Sequence, residues 1–126
     1  MNREKLKGLY EKYELEKDDV FKHQHYIIIT RSGIEKIQAK AEIEVNYEVI
    51  KCERDFCVVK AYNDKLSTYG SALKGSSMKD GNCNTWYVME MAEKRALSRL
   101  VLKQTGFYQL GVFGQDESEE FKKPKN

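Results

Sequence analysis

"IEVNYEVIKCERDFCVVKAYNDKLSTYGSAL", residues Ile43 to Leu73, decides the fold class of this chain. At its start Ile43, Val45, Tyr47 and Val49 alternate with Glu44, Asn46 and Glu48, the period of two expected of a half-buried strand. Arg54-Asp55 reads as a turn into a second strand, Phe56 to Tyr62, and Asn63-Asp64-Lys65 as a turn into a third, Ser67 to Leu73. Three short strands joined by tight turns make an antiparallel meander, which must bury one face against something else.

The flanking segments supply helices. From Asn2 to Leu15, Leu6, Leu9, Tyr10, Tyr13 and Leu15 recur among charges at helical spacing, although Gly8 weakens the pattern. Lys22 to Thr30, with Tyr26 and three consecutive isoleucines, reads as one strand stopped by Ser32-Gly33. Ser32 can cap a short helix, Gly33 to Ala41, with Ile34 and Ile37 facing the core. After the meander, "KGSSMKDGNCN", Lys74 to Asn84, is a glycine- and serine-rich loop. A long helix follows, capped by Asn84 or Thr85, burying Met89, Ala92, Ala96, Leu97 and Leu100, and ended by Gly106. Tyr108, Leu110, Val112 and Phe113 add a final short strand or packing segment. The expectation is an α+β fold: an antiparallel β-meander with helices packed on one face and a long basic helix near the C-terminus. One domain spans 1–114, and an acidic, flexible tail spans 115–126.

Composition limits the function classes. A chain of 126 residues, 40% apolar and 33% charged, suits one globular domain. Its longest apolar run falls far short of the roughly 18 residues a membrane span needs, so no membrane association is expected. The N-terminus has no apolar core of a signal peptide. Three cysteines without framework spacing point to reduced thiols and a cytoplasmic setting. A net charge of +2 is too mild to announce nucleic-acid binding by itself. Its distribution is more telling, since Lys74 to Lys103 holds six basic residues against three acidic ones.

Within the long helix Arg95, Arg99 and Lys103 stand four residues apart and drift by only about 40° per step, so they form a row. Such a row can contact successive phosphates. It can equally be the solvated back of a core helix, with Glu90 and Lys94 as an i, i+4 pair.

"WYVMEMAEKRALSRLVLK", Trp86 to Lys103, resembles the signature helix of the phage single-strand DNA annealing proteins of the RecT and Red-beta kind, with Glu90, Met91, Ala92, Lys94, Ala96, Leu97, Arg99 and Leu100 in matching positions. Glu93 and Ser98 stand where that family commonly has basic residues. The order of meander, loop and basic helix also looks like the core of the eukaryotic strand-annealing mediators. The resemblance implies a non-enzymatic homo-oligomer that binds single-stranded DNA and promotes annealing or recombination, with no cofactor. Such proteins hold strands by backbone charge and by aromatic faces. Lys74, Lys79, Arg95, Arg99 and Lys103 are therefore candidate phosphate contacts, and Tyr69, Trp86 and Tyr87 candidate stacking groups. Trp86 can instead anchor the helix N-terminus on the sheet.

Other chemistries find less support. "GSALKGSS", Gly70 to Ser77, has glycines spaced as in a phosphate-binding loop but lacks the lysine after the second glycine. His23 and His25 with Cys52, Cys57 and Cys83 are possible metal ligands, with the histidines on one face of a strand, yet no CxxC pair exists. No spacing supports a catalytic dyad or a metal-dependent nuclease. A second class of function remains, a small module that binds a protein partner, suggested by mixed exposed charges and the acidic tail.

Overall fold

The computed structural model describes residues 3–75 and 80–117 of the chain. Its first helix, α1 (Arg3–Lys12), buries Leu6, and the rings of Tyr10 and Tyr13 beyond it lie 6.3 and 5.9 Å from that of Phe107. The expected single strand over Lys22 to Thr30 is two strands, β1 (Val20–His23) and β2 (Tyr26–Ile29), paired antiparallel with His23 opposite Tyr26. Gln24 makes the reversal by taking φ +57, a left-handed conformation uncommon for a residue with a side chain. Helix α2 (Arg31–Ala41) buries Ile34 and Ile37 as expected, but its cap is Thr30, whose Oγ1 accepts from the Gly33 amide at 3.1 Å, and not Ser32.

The meander is built from β3 (Asn46–Cys52), β4 (Phe56–Tyr62) and β5 (Ser67–Leu73), all antiparallel, with a register shift at Ile50 in β3. The second and third strands begin and end where the turn signals place them. The first was expected to be half-buried from Ile43 to Val49. It starts later, at Asn46, and every one of its residues is exposed. The cause is coverage: the long helix packs on β4 and β5, leaving β3 as an outlying edge strand.

That helix, α3 (Val88–Thr105), ends at Gly106 with φ +92. Neither Asn84 nor Thr85 occupies the cap position, which falls to Tyr87; the Thr85 hydroxyl accepts from the Tyr87 amide at 3.3 Å. Val88, Ala92, Arg95, Ala96, Ser98, Leu100, Val101 and Leu102 are buried, a set that runs most of the way round the helix. Met89 and Leu97, expected in its buried face, are only partly covered. α3 is enclosed because two sheets flank it. On one side lie β4 and β5, where Gly70 permits contact so close that a Cβ there would collide with Ala92 O and Ala96 N. Thr68 Oγ1 donates to Ala96 O at 2.7 Å beside it. On the other side lie α2 and β6 (Val112–Gly114), which follows a 3-10 turn at Tyr108–Leu110. β6 pairs in parallel with β2, so β1, β2 and β6 form a second sheet that a one-sheet meander did not anticipate. The class is α+β, with α3 as its central element.

The chain continues in ordered packing past the expected boundary at Gly114. Gln115 N donates to Ile29 O at 2.9 Å, extending the β2–β6 pairing, and the side chains of Asp116 and Glu117 are buried. Gln115 to Glu117 thus belong to the folded domain and not to a flexible tail; the rest of that tail, 118–126, lies outside the described residues.

Gly70 provides a direct test of the α3–β5 contact. Gly70→Ala should lower stability by about 1–3 kcal/mol through overpacking. Gly8→Ala, within α1 and with nothing near its added carbon, should raise it by about 0.5–1 kcal/mol. Urea unfolding of the two variants measures both, and equal effects would contradict the packing described.

Candidate nucleic-acid interface

The arginine row proves to be part of the fold. Arg95 is only 2% exposed, and its guanidinium donates in three directions: Nε to Asp116 O at 3.1 Å, one terminal nitrogen to Ser71 O at 2.8 Å and the other to Asn82 O at 2.6 Å. Arg99 donates from Nε to the buried Glu117 carboxylate at 3.1 Å and from a terminal nitrogen to Tyr69 O at 2.8 Å. Tyr69 and Ser71 present these carbonyls along the edge of β5 that faces away from β4, so the arginines supply donors an outer strand lacks. Asn82 and Cys83 continue the same edge, their amides donating to Leu73 O at 3.0 and 3.1 Å. As a candidate phosphate contact Arg95 is therefore corrected, since its guanidinium is buried and committed to the protein; Arg99, its side chain 34% exposed, is tied to the fold through Nε and one terminal nitrogen. Lys103, the third member, is exposed and stands 5.2 Å from the Tyr108 ring.

The other candidates divide differently. Trp86 is 58% exposed, so the alternative of a buried anchor fails for it, and Tyr87 is 70% exposed. Lys74 Nζ and the Arg54 guanidinium each sit 5.1 Å from the centre of the Trp86 ring. Lys74 comes from the end of β5, where its amide donates to Asp55 O at 2.7 Å, and Arg54 from the turn between β3 and β4. Three separate segments thus meet at the turn end of the meander. Lys79 lies outside the described residues.

From this end the outer face of the meander runs back along the strands. Cys57, Val59 and Ala61 of β4 and Thr68, Gly70 and Ala72 of β5 point towards α3 and are buried. The alternate residues point away: Phe56 lies opposite Leu73, Val58 opposite Ser71, Lys60 opposite Tyr69 and Tyr62 opposite Ser67. Tyr69 is 49% exposed. Lysines lie over these rings as well, Lys51 5.8 Å from Phe56 and Lys60 5.2 Å from Tyr62. The result is a surface that offers π-faces and positive charge together, the two elements that single-stranded nucleic acid engages.

Arg54, Lys51, Lys60, Phe56 and Tyr62 were not among the candidates drawn from the sequence. The turn position of Arg54 was legible, but its meeting with a tryptophan far along the chain carries no local signal. Strand alternation could have placed Phe56, Lys60 and Tyr62 on one face with Tyr69. His23 and His25 do not share a strand face, because His25 falls in the β1–β2 turn. Among the described residues no group of three or more His, Cys, Asp or Glu side chains gathers to hold a metal ion, and no helix is long and apolar enough to cross a membrane. No family model, curated protein or solved structure matches the chain.

Truncating Arg95 would leave the Ser71, Asn82 and Asp116 carbonyls without this donor. Arg95→Ala should cost on the order of 3–5 kcal/mol, and Arg95→Lys most of that, because an ammonium cannot reproduce the planar fork. Thermal unfolding of either variant at a melting temperature near that of the unaltered protein would contradict the structural role.

Proposed function

We propose that the protein binds single-stranded DNA across the open face of the meander and acts, as a homo-oligomer, in strand annealing or recombination of the phage or mobile-element type. The observation that carries this reading is Trp86, exposed and flanked by Arg54 and Lys74, at the end of a sheet face bearing Phe56, Tyr62 and Tyr69 among lysines. Bases stack on such rings without regard to sequence, and the cations take the phosphates between them. The resemblance of the Trp86–Lys103 helix to annealing proteins supports the same class, but through a different part of the motif from that first expected. Its arginines serve the core, and Trp86, at the head of the motif, serves the strand. A few cations per subunit bind weakly at physiological salt, so several subunits on one strand supply the avidity that annealing needs. No reacting group is required for this activity, and a cytoplasmic setting is part of the proposal.

A second reading rests on β3. As an edge strand with Tyr47, Val49 and Ile50 exposed, it offers main-chain hydrogen bonds and apolar side chains to an added strand from a protein partner. The bulge at Ile50 and the charges of Glu48 and Lys51 work against indiscriminate pairing there.

Anisotropy of a labelled single-stranded oligonucleotide, at low and moderate salt, separates the two. Trp86→Ala should weaken binding roughly tenfold to a hundredfold, as the loss of about 1–3 kcal/mol of stacking implies. Arg54→Ala with Lys74→Ala should weaken it and flatten its salt dependence. Both proteins should melt near the unaltered temperature, since these side chains are on the surface. Unchanged affinity in both, or no binding by the unaltered protein at low salt, would leave the protein-partner reading in possession.

A further inference from the structure

The nucleic-acid reading gives no role to Cys52 and Cys57, which face one another directly across the β3–β4 hairpin. Glu53 N donates to Phe56 O at 2.7 Å, closing the two-residue turn, so the next pair outwards is a non-hydrogen-bonded one. In such pairs the Cα atoms approach to about 4.5 Å, inside the range of about 4.4–6.8 Å that a disulfide spans. Here the Cys57 thiol donates to the Cys52 sulfur, with the two sulfurs 3.3 Å apart. The two environments differ in a useful way. Cys52 is exposed, and Cys57 is fully buried beneath α3 with Val59, Ala72 and Ala92. Burial, together with the hydrogen bond to Cys52, pushes the Cys57 thiol up to about 11, so at neutral pH it keeps the proton it donates. Cys83, the third cysteine, is buried in the same apolar cluster as Cys57, but its thiol donates to Thr85 O at 3.4 Å and not to either of the other sulfurs.

We propose that Cys52 is a site of reversible oxidation, resolved by Cys57 into an intrachain disulfide across the hairpin. With a peroxide as oxidant, the Cys52 thiolate attacks one peroxide oxygen; the O–O bond breaks, leaving sulfenic acid on Cys52 and, from hydrogen peroxide, hydroxide. The Cys57 sulfur then attacks the Cys52 sulfur; the S–O bond breaks, and the Cys57 proton leaves with the departing oxygen as water. One peroxide is reduced by two electrons, and the two thiols are oxidised by two. The first step needs solvent access, which Cys52 has, and the second only a short closing movement, which the hairpin allows. Arg54 lies in the turn that this bond would staple, beside Trp86.

The test uses the full chain, reduced, then treated with hydrogen peroxide and digested with trypsin without reductant. Cleavage after Lys51, Arg54 and Lys60 puts the two cysteines in separate short peptides. The expected product is those two peptides joined, lighter by two hydrogens, and released by dithiothreitol. In Cys57→Ser, Cys52 should stop at a sulfenic acid that dimedone traps. In Cys52→Ser, which leaves the buried position unaltered, Cys57 should stay reduced and no intrachain disulfide should form. The proposal is overturned if Cys52 proceeds to sulfinic acid while Cys57 remains free to alkylate, or if Cys83 takes the place of either partner.

Discussion

The Arg95 guanidinium ties three separate parts of the chain to one another from a buried position. Its three hydrogen bonds reach the edge of β5, the segment entering α3 and the strap after β6, each through a main-chain carbonyl. A buried cation is costly unless its donors are satisfied, and here they are met by groups that themselves needed partners. Arg99 repeats the device one turn later, with the Tyr69 carbonyl and the Glu117 carboxylate. Beyond them Arg31, at the start of α2, meets the buried Asp116 carboxylate at 2.6 Å. The arginines thus close the open edge of one sheet and fasten the strap that follows the other, with α3 held between. This arrangement adds to the apolar packing that sets both sheets on α3.

Much of the meander was legible because its signals are local. Turn residues at Arg54-Asp55 and Asn63-Asp64-Lys65 fix where β4 and β5 begin, and alternation fixes their faces. The hairpin of β1 and β2 was hidden by the absence of glycine or asparagine at its turn, where Gln24 takes the left-handed conformation. The parallel pairing of β2 with β6 joins residues more than eighty positions apart and has no local pattern to announce it. The low apolar content of α3's arginine side concealed that this side is buried too. A spacing of four describes a solvated row and a buried one equally well, and only the carboxylates at Asp116 and Glu117 hinted that partners were available.

The candidate site shows the same division. Trp86, Tyr87, Tyr69 and Lys74 could be chosen from residue type; the three rings are exposed as a binding surface requires, and Lys74 is half-buried beside Trp86. Arg95 and Arg99 were chosen on the same grounds, yet Arg95 is buried and half-buried Arg99 bonds the Tyr69 carbonyl and Glu117. What assembles the surface is tertiary: the β3–β4 turn brings Arg54, and the end of β5 brings Lys74, to within 5.1 Å of the centre of one indole ring. Among the described residues the outer face of the meander carries several rings in series; under the proposed function a flexible strand would stack on them, and a rigid duplex, with its bases stacked inside, would not.

Trp86 is the only tryptophan in the chain, so its emission reports on this surface alone. Titration of the unaltered protein with an unlabelled single-stranded oligonucleotide, following indole fluorescence at low salt, puts the central claim to its most direct test. Quenching should saturate, reverse on addition of salt and be much weaker with duplex of the same length. Binding detected by mass or mobility without any change in Trp86 emission would place the strand elsewhere and contradict it.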